Sequence, residues 1–263
     1  MQKNRVAFIA DADSPSAKAI AKRLADLGMS LVLNSPSCGE RIGQDVKALQ
    51  DQGAKIQIVT SPLTSTQAVK GVLNEIIERF GRLDVLIHNI DVLQPTSIEA
   101  CDESLYADLI DQNVKTAFLC TQIMGAQMAV HQHGKIIYVS SIHDEKPTGS
   151  SFPYALAKGA VKMLCKEAAL DLGRDGVTVN LIEMGPVDGD NVKFASPISS
   201  VYEHYDHKIP SVVMGTYDDL AELVGFMAVF RSNFLNGADV RLDGGFTLHY
   251  MDHKMRETPV MEA

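Results

Sequence analysis

The sequence predicts a doubly wound α/β domain: a mostly parallel sheet of about seven strands with helices on both faces. Three observations carry this expectation. Short runs rich in Val and Ile alternate with amphipathic stretches along most of the chain, the pattern of strands buried on both faces between covering helices. Glycines close several of the amphipathic stretches, at Gly28, Gly53 and Gly81, where a residue with positive φ ends a helix without a Cβ clash. No linker or internal repeat interrupts the alternation, so one domain is expected over residues 1–250, with a polar tail over 251–263.

The elements follow in order. Residues 6–10 read as a buried strand, and Ser14 then opens a helix as N-cap with Pro15 in its first turn, running to about residue 27. A second strand covers 31–33, a helix 40–52, a third strand 56–59 and a helix 67–80. Residues 85–87 form the fourth strand, followed by one long helix over 105–131. The fifth strand is 135–139, and the helix over 153–172 carries Tyr154 and Lys158. A sixth strand at 177–182, a helix at 218–230 and a short strand at 238–242 complete the pattern. Residues 185–216 are the one long irregular stretch, and such stretches often act as lids over a site.

Composition narrows the function classes. A net charge of −9 repels nucleic acid and anionic membrane surfaces, so neither is expected as a partner. No apolar run is long enough to span a bilayer, and the short apolar run after Arg5 meets Asp11 too soon for a signal peptide. A cytoplasmic protein is expected. The cysteines at 38, 101, 120 and 165 lack paired spacing and read as reduced thiols.

In a doubly wound sheet, ligands bind beyond the carboxyl ends of the strands. Asp11, Asn89, Ser141 and Gly185 each follow a strand and belong to that edge. Tyr154 and Lys158 are separated by four residues, so on a helix they share a face. An ammonium beside a phenol lowers the phenol's pKa from about 10 and makes it a usable acid/base near neutrality. Ser141 can hold an alcohol or carbonyl oxygen beside it. Each residue also has an ordinary reading. Tyr154 and Lys158 can be plain helix residues, Ser141 a loop cap, and Asn113 a helix residue bonding nearby backbone. Asn89 reads best as a tie between strands. Asp11 and Asp13 read best as complements to a helix N-terminus. His143 lies equally well in a substrate pocket or on a surface loop. His204, Tyr205 and His207 belong to the irregular stretch, where no cysteine or carboxylate completes a metal set, so no metal is expected. Met124, Met128 and Met163 suit a core or an interface.

Ser141, Tyr154 and Lys158, with Asn113 in Asp111-Gln112-Asn113-Val114, match the catalytic tetrad of one family at its usual separations. Asn89 matches the second asparagine of that family's Asn-Asn-Ala-Gly motif, Gly185-Pro186 its Pro-Gly turn, and Asp243-Gly244-Gly245 its C-terminal motif. To about Phe246 the chain resembles the classical short-chain dehydrogenase/reductases. The resemblance implies a Rossmann-like fold and an NAD- or NADP-dependent oxidoreductase that interconverts an alcohol and a carbonyl. It makes Tyr154 the general acid/base, has Lys158 hold the nicotinamide ribose, Ser141 orient the substrate, and Asn113 hold a water on a proton relay to Lys158. It places the cofactor against Asp11, Ser14, Pro15, Ser16, Ser35, Asn89, Gly185, Pro186 and Val187. His143 and, from the irregular stretch, Asp188 and Tyr205 are the candidates for lining the substrate. It also implies a homo-oligomer, a tetramer or dimer, built on the helices around 105–131 and 153–172.

The cofactor half departs from the family. Where it has Thr-Gly-x-x-x-Gly-x-Gly, this chain has residues 10–17, Ala-Asp-Ala-Asp-Ser-Pro-Ser-Ala, with all three glycines absent. Asp11 sets a carboxylate toward a pyrophosphate, and two like charges about 4 Å apart repel by about 4 kcal/mol at an effective dielectric of about 20. Pro15 lacks an N–H. Asn34-Ser35-Pro36 offers neither an acid for an NAD ribose nor an arginine for an NADP phosphate, and His88-Asn89-Ile90-Asp91 replaces Asn-Asn-Ala-Gly. A second reading therefore stands beside the first: a degenerate member with weak or no dinucleotide binding that serves as a binding or scaffold subunit. A lyase or epimerase on the same scaffold is a third.

Overall fold

The computed structural model describes residues 5–196 and 199–248. Seven strands pair in the order β3-β2-β1-β4-β5-β6-β7, all parallel. They are β1 Val6–Ile9, β2 Ser30–Asn34, β3 Ile56–Val59, β4 Val85–His88, β5 Gly134–Ser141, β6 Val177–Met184 and β7 Asp239–Leu242. The covering helices are α1 Ala17–Asp26, α2 Gly43–Asp51, α3 Thr66–Phe80, α4 Glu103–Ile110, α5 Thr116–Val130, α6 Phe152–Gly173, α7 Asp190–Lys193 and α8 Tyr217–Val229.

The period-two geometry of a strand splits its side chains between two cores. Phe8 of β1 joins the layer with Val72 and Ile76 of α3, Cys120 of α5 and Cys165 of α6. Its neighbours Ala7 and Ile9 join the opposite layer with Ile20 and Leu24 of α1, Val46 of α2 and Val224 of α8. Side-chain caps define several helix starts. The Ser65 hydroxyl accepts the Ala68 N–H at 3.2 Å, Asp102 accepts from Leu105 N–H at 2.8 Å, and Thr216 with Asp219 forms a reciprocal capping box. Gly81 ends α3 at φ 76°, a backbone angle that favours glycine.

Three sequence expectations change. Ser14 is not the N-cap of α1: the helix begins at Ala17 with Ser16 before it and no side-chain cap. The Ser14 hydroxyl instead donates to the Asp11 carbonyl at 3.0 Å and accepts from Asn89 Nδ2 at 2.8 Å. The helix expected at 105–131 is two helices joined by a π turn, Asp111–Lys115. At its centre Asn113 Nδ2 donates to Leu109 O at 2.9 Å, a side-chain insertion of the kind that breaks helical register. The helix expected from residue 40 begins at Gly43. The expected tail over 251–263 lies outside the described residues. None of the described helices is long and apolar enough to cross a membrane. Met124 and Met128 are core, and Met163 is exposed.

The strand order reverses between β1 and β4, and the crevice beyond their carboxyl ends is where this architecture places its ligands. A cleft of about 580 Å³ opens there, with Asp11, Asn89, Ser141 and Gly185 in its wall.

Candidate active site

Strand β5 ends at Ser141 and α6 begins eleven residues later, so both reach the same end of the cleft. Ser141 and Tyr154 line it. Lys158 lies one turn along α6 from Tyr154, its ammonium 5.1 Å from the phenol ring centroid. The α6 backbone thus delivers the tyrosine and lysine together, as their spacing implied.

The surroundings differ from the expectation of a lowered phenol pKa. Asp91, just beyond β4, reaches between them. The Tyr154 hydroxyl donates to Asp91 Oδ1 at 2.7 Å, and the Lys158 ammonium lies 2.8 Å from the same oxygen. The Lys193 ammonium of α7 pairs with Asp91 Oδ2. Burial raises the Asp91 carboxyl, but the charges of Lys158 and Lys193 outweigh it and hold the group well below the usual carboxylate range. Tyr154 moves the other way. Burial, then the Asp91 charge and its acceptance of the phenol proton, lift Tyr154 well above its ordinary value, and a hydrogen bond with Ser141 only partly opposes this. With Asp91 in place, Tyr154 is a neutral hydrogen-bond donor.

Asn113 is fully engaged with backbone. Its Oδ1 accepts from Val92 N–H at 3.1 Å and its Nδ2 donates to Val92 O and Leu109 O. It fixes the segment that follows Asp91. Asn89 ties β4 to the β1 turn: Oδ1 accepts from Asp11 N–H at 3.0 Å and Nδ2 donates to Asp11 O at 2.8 Å. His143 stands behind Tyr154 and does not line the cleft. Its Nε2 bonds the Tyr202 hydroxyl at 2.7 Å, its Nδ1 the Lys146 carbonyl at 2.6 Å, and its ring packs 4.5 Å from Phe194. Burial pushes this imidazole down to about 4, although its bond to the Lys146 carbonyl opposes the shift. The other two residues assigned to the substrate also lie off the cleft wall. Tyr205 donates its hydroxyl to Val187 O at 2.9 Å, tying the loop to itself, and Asp188 is exposed to solvent.

At the other end of the cleft the chain binds itself. The Asp13 carboxylate accepts from the Ser37 N–H at 2.7 Å and the Ser35 hydroxyl at 2.8 Å. Asp11 Oδ1 accepts from Asp13 N–H at 3.0 Å, and burial raises the Asp11 carboxyl. Ser14, Pro15, Ser16, Gly185 and Val187 line the cleft, whereas Ser35 is buried beneath it and Pro186 is off its wall. The residues present do not fit a pyrophosphate bound in the family's manner. The Asp13 carboxylate holds the Ser37 N–H and Ser35 hydroxyl beyond β2, Pro15 has no N–H to offer, and Asp91 holds the groups assigned to the nicotinamide ribose.

Sequence reasoning missed Lys193, Phe194, Tyr202 and Arg41. Arg41 supplies the cleft with a guanidinium that residues 34–36 lack. Its signal is faint, one basic residue in a loop. Among the described residues, one acidic cluster has metal-like spacing, Asp144, Glu145 and Glu183. Lys162 reaches all three, and Arg241 pairs with Glu145 and Glu183, so it is an ion-pair network.

A seven-stranded parallel sheet with a serine, tyrosine and lysine at its carboxyl edge defines a nucleotide-fold oxidoreductase. A sequence model of the family described as enoyl-(acyl carrier protein) reductase matches residues 12–247, and the chain belongs to the short-chain dehydrogenase/reductases, a family of oxidoreductase enzymes. Similar proteins include two subunits of (2S)-[(R)-hydroxy(phenyl)methyl]succinyl-CoA dehydrogenase from Thauera aromatica. Subunit BbsD is 28% identical, with 93% of this chain and 97% of that one covered. Subunit BbsC is 29% identical, with 94% and 96% covered. Levodione reductase has the same fold, with a TM-score of 0.85 at 23% identity over 94% of this chain and 98% of that one.

Proposed function

We propose that this chain interconverts an alcohol and a carbonyl, with Tyr154 exchanging the proton at the substrate oxygen. The observation that carries this reading is the convergence of Ser141 and Tyr154 on one cleft wall, with Lys158 one helical turn away. The Ser141 hydroxyl orients the oxygen. Once Asp91 withdraws, Lys158 lies close enough to favour the phenolate. Phe194 and the aromatic ring layer of the loop keep water from the phenol. The electron carrier of this class is a nicotinamide dinucleotide, NAD or NADP, and the rebuilt turn at residues 11–17 makes its binding weak. Exposed apolar side chains on α4, α5 and α6, including Tyr106, Phe118, Leu156 and Met163, support an oligomer. The net charge of −9 supports a cytoplasmic home.

Titration with NADH and NADPH, read by nicotinamide fluorescence and by the melting temperature, tests the carrier. Binding stabilises the fold by RT ln(1 + [L]/Kd). A shift is expected at millimolar concentration with one of the two, and no shift with either contradicts the reading.

A second reading is favoured by Asp91, Asp11 and Asp13, which fill both ends of the cleft with the chain's own groups. In it, the chain is a non-catalytic subunit that supports a related, dinucleotide-binding partner. The dehydrogenase subunits BbsC and BbsD, both similar to this chain, are named as parts of one enzyme. Binding of neither dinucleotide by the purified chain, together with activity on adding a homologous partner chain, would favour this alternative.

A further inference from the structure

Three donors from two elements meet on one carboxylate. Tyr154 and Lys158 come from α6, and Lys193 comes from α7 in the irregular stretch. Asp91 Oδ1 receives the phenol hydrogen bond at 2.7 Å and the Lys158 ammonium at 2.8 Å, and Oδ2 receives Lys193. A carboxylate with hydrogen-bonding cations on both oxygens is a well-satisfied bound anion.

The donors depend on that anion. The Lys158 side chain is 3% exposed, and its other polar contact is the Ile90 carbonyl at 3.3 Å. A buried ammonium left without a partner is strongly unfavourable. Lys193 is held in place by rings as well as by charge. Its ammonium is 4.9 Å from the Phe194 ring centroid and 5.8 Å from that of Tyr154. Lys193 thus has ring contacts besides its pair with Asp91, and Asp91 itself lines the open cleft with its side chain 34% exposed. An anion from solvent can reach the place where its carboxylate lies.

We propose that Lys158, Lys193 and Tyr154 form a carboxylate-binding site whose resident ligand is the chain's own Asp91. The tether makes the site self-occupied and pins the loop that carries α7 against the tyrosine. A substrate that reaches Lys158 exchanges with Asp91, and one that brings a carboxylate of its own leaves both ammoniums paired. This deepens the reading of the same site, but it needs no dinucleotide, so the two fail separately.

The test is replacement of the tethered anion by a free one. Asp91→Gly removes the carboxylate and opens the space it fills. Thermal melting of the full chain is followed against sodium acetate, with sodium chloride at equal ionic strength as control. Asp91→Gly is expected to melt below the wild type, and acetate to recover most of that difference with saturation. Chloride is expected to do neither, and the wild type to show no acetate-specific shift. An acetate shift equal in both proteins, or absent from Asp91→Gly, overturns the proposal. Should Asp91→Gly fail to fold, a double-mutant cycle of Asp91→Asn with Lys193→Met decides. A second substitution that costs little after the first supports the site, and simple additivity overturns it. NADH titration of the same proteins reads the carrier separately: acetate rescue without NADH binding fails the carrier and keeps the site.

Discussion

The two ends of the cleft keep different things. At the tetrad end Ser141, Tyr154 and Lys158 stand together, and the carboxylate of Asp91 is set among them. At the turn end the glycines that would admit a pyrophosphate are gone, and Asp13 and Asp11 accept from the N–H groups of Ser37 and Asp13 and the buried Ser35 hydroxyl. Both changes have one physical sense. Where a bound dinucleotide would bring negative charge and hydrogen-bond acceptors, the chain supplies carboxylates of its own. At the tetrad end the change is the carboxylate of Asp91; at the turn end it is the loss of the glycines that allow close backbone approach.

The largest expected effect falls at the tetrad end. Tyr154→Phe should lower turnover by about a hundredfold or more, the usual scale of a general acid/base, while leaving ligand affinity nearly unchanged. Steady-state kinetics on any carbonyl substrate found by screening would check this, and unchanged turnover would show that the retained tetrad is inert. Asp13→Ala probes the other end. It removes a charged acceptor from the Ser37 N–H and the Ser35 hydroxyl and should cost about 2 kcal/mol by urea unfolding. A neutral effect would mean that these bonds are not replacing a ligand's. An effect of comparable size separates the ring layer behind Tyr154 from both ends. His143 has its pKa lowered to about 4 by burial, opposed by its bond to the Lys146 carbonyl. Its neutral form is favoured by folding, so this contribution is present above about 6.5 and is lost as pH falls toward about 4, by up to about 1.4 kcal/mol per pH unit. Between pH 7 and 5 the wild type should lose about 2 kcal/mol more stability than His143→Gln. Equal losses would show that the imidazole is not held neutral.

Much of the fold was legible because its signal is local. Strands buried on both faces read as apolar runs, and the four-residue step from Tyr154 to Lys158 places both on one helix face. Asp91 was visible as a misplaced carboxylate, but its role was not. That role depends on Lys193, 102 residues further on, in a loop with no periodicity to anchor it. The π turn at Asn113 was hidden for a related reason: the sequence around it continues a helical pattern, and its side chain bonds Val92, 21 residues earlier in the chain. The contacts of His143 and Tyr205 within the loop were not legible, because polar tips on aromatic bodies suit loop packing as well as a substrate pocket.

The most direct test is the ionisation of Tyr154 itself. Ultraviolet absorbance of phenolate is followed against pH for the wild type, for Tyr154→Phe and for Asp91→Gly. The difference between wild type and Tyr154→Phe should contain no phenolate step below about pH 10, because burial and the Asp91 carboxylate keep the proton on the phenol. In Asp91→Gly, without acetate, the step should appear at lower pH, since the Lys158 and Lys193 ammoniums then face the phenol without the carboxylate. A wild-type step near neutrality that vanishes in Tyr154→Phe would contradict a self-occupied site.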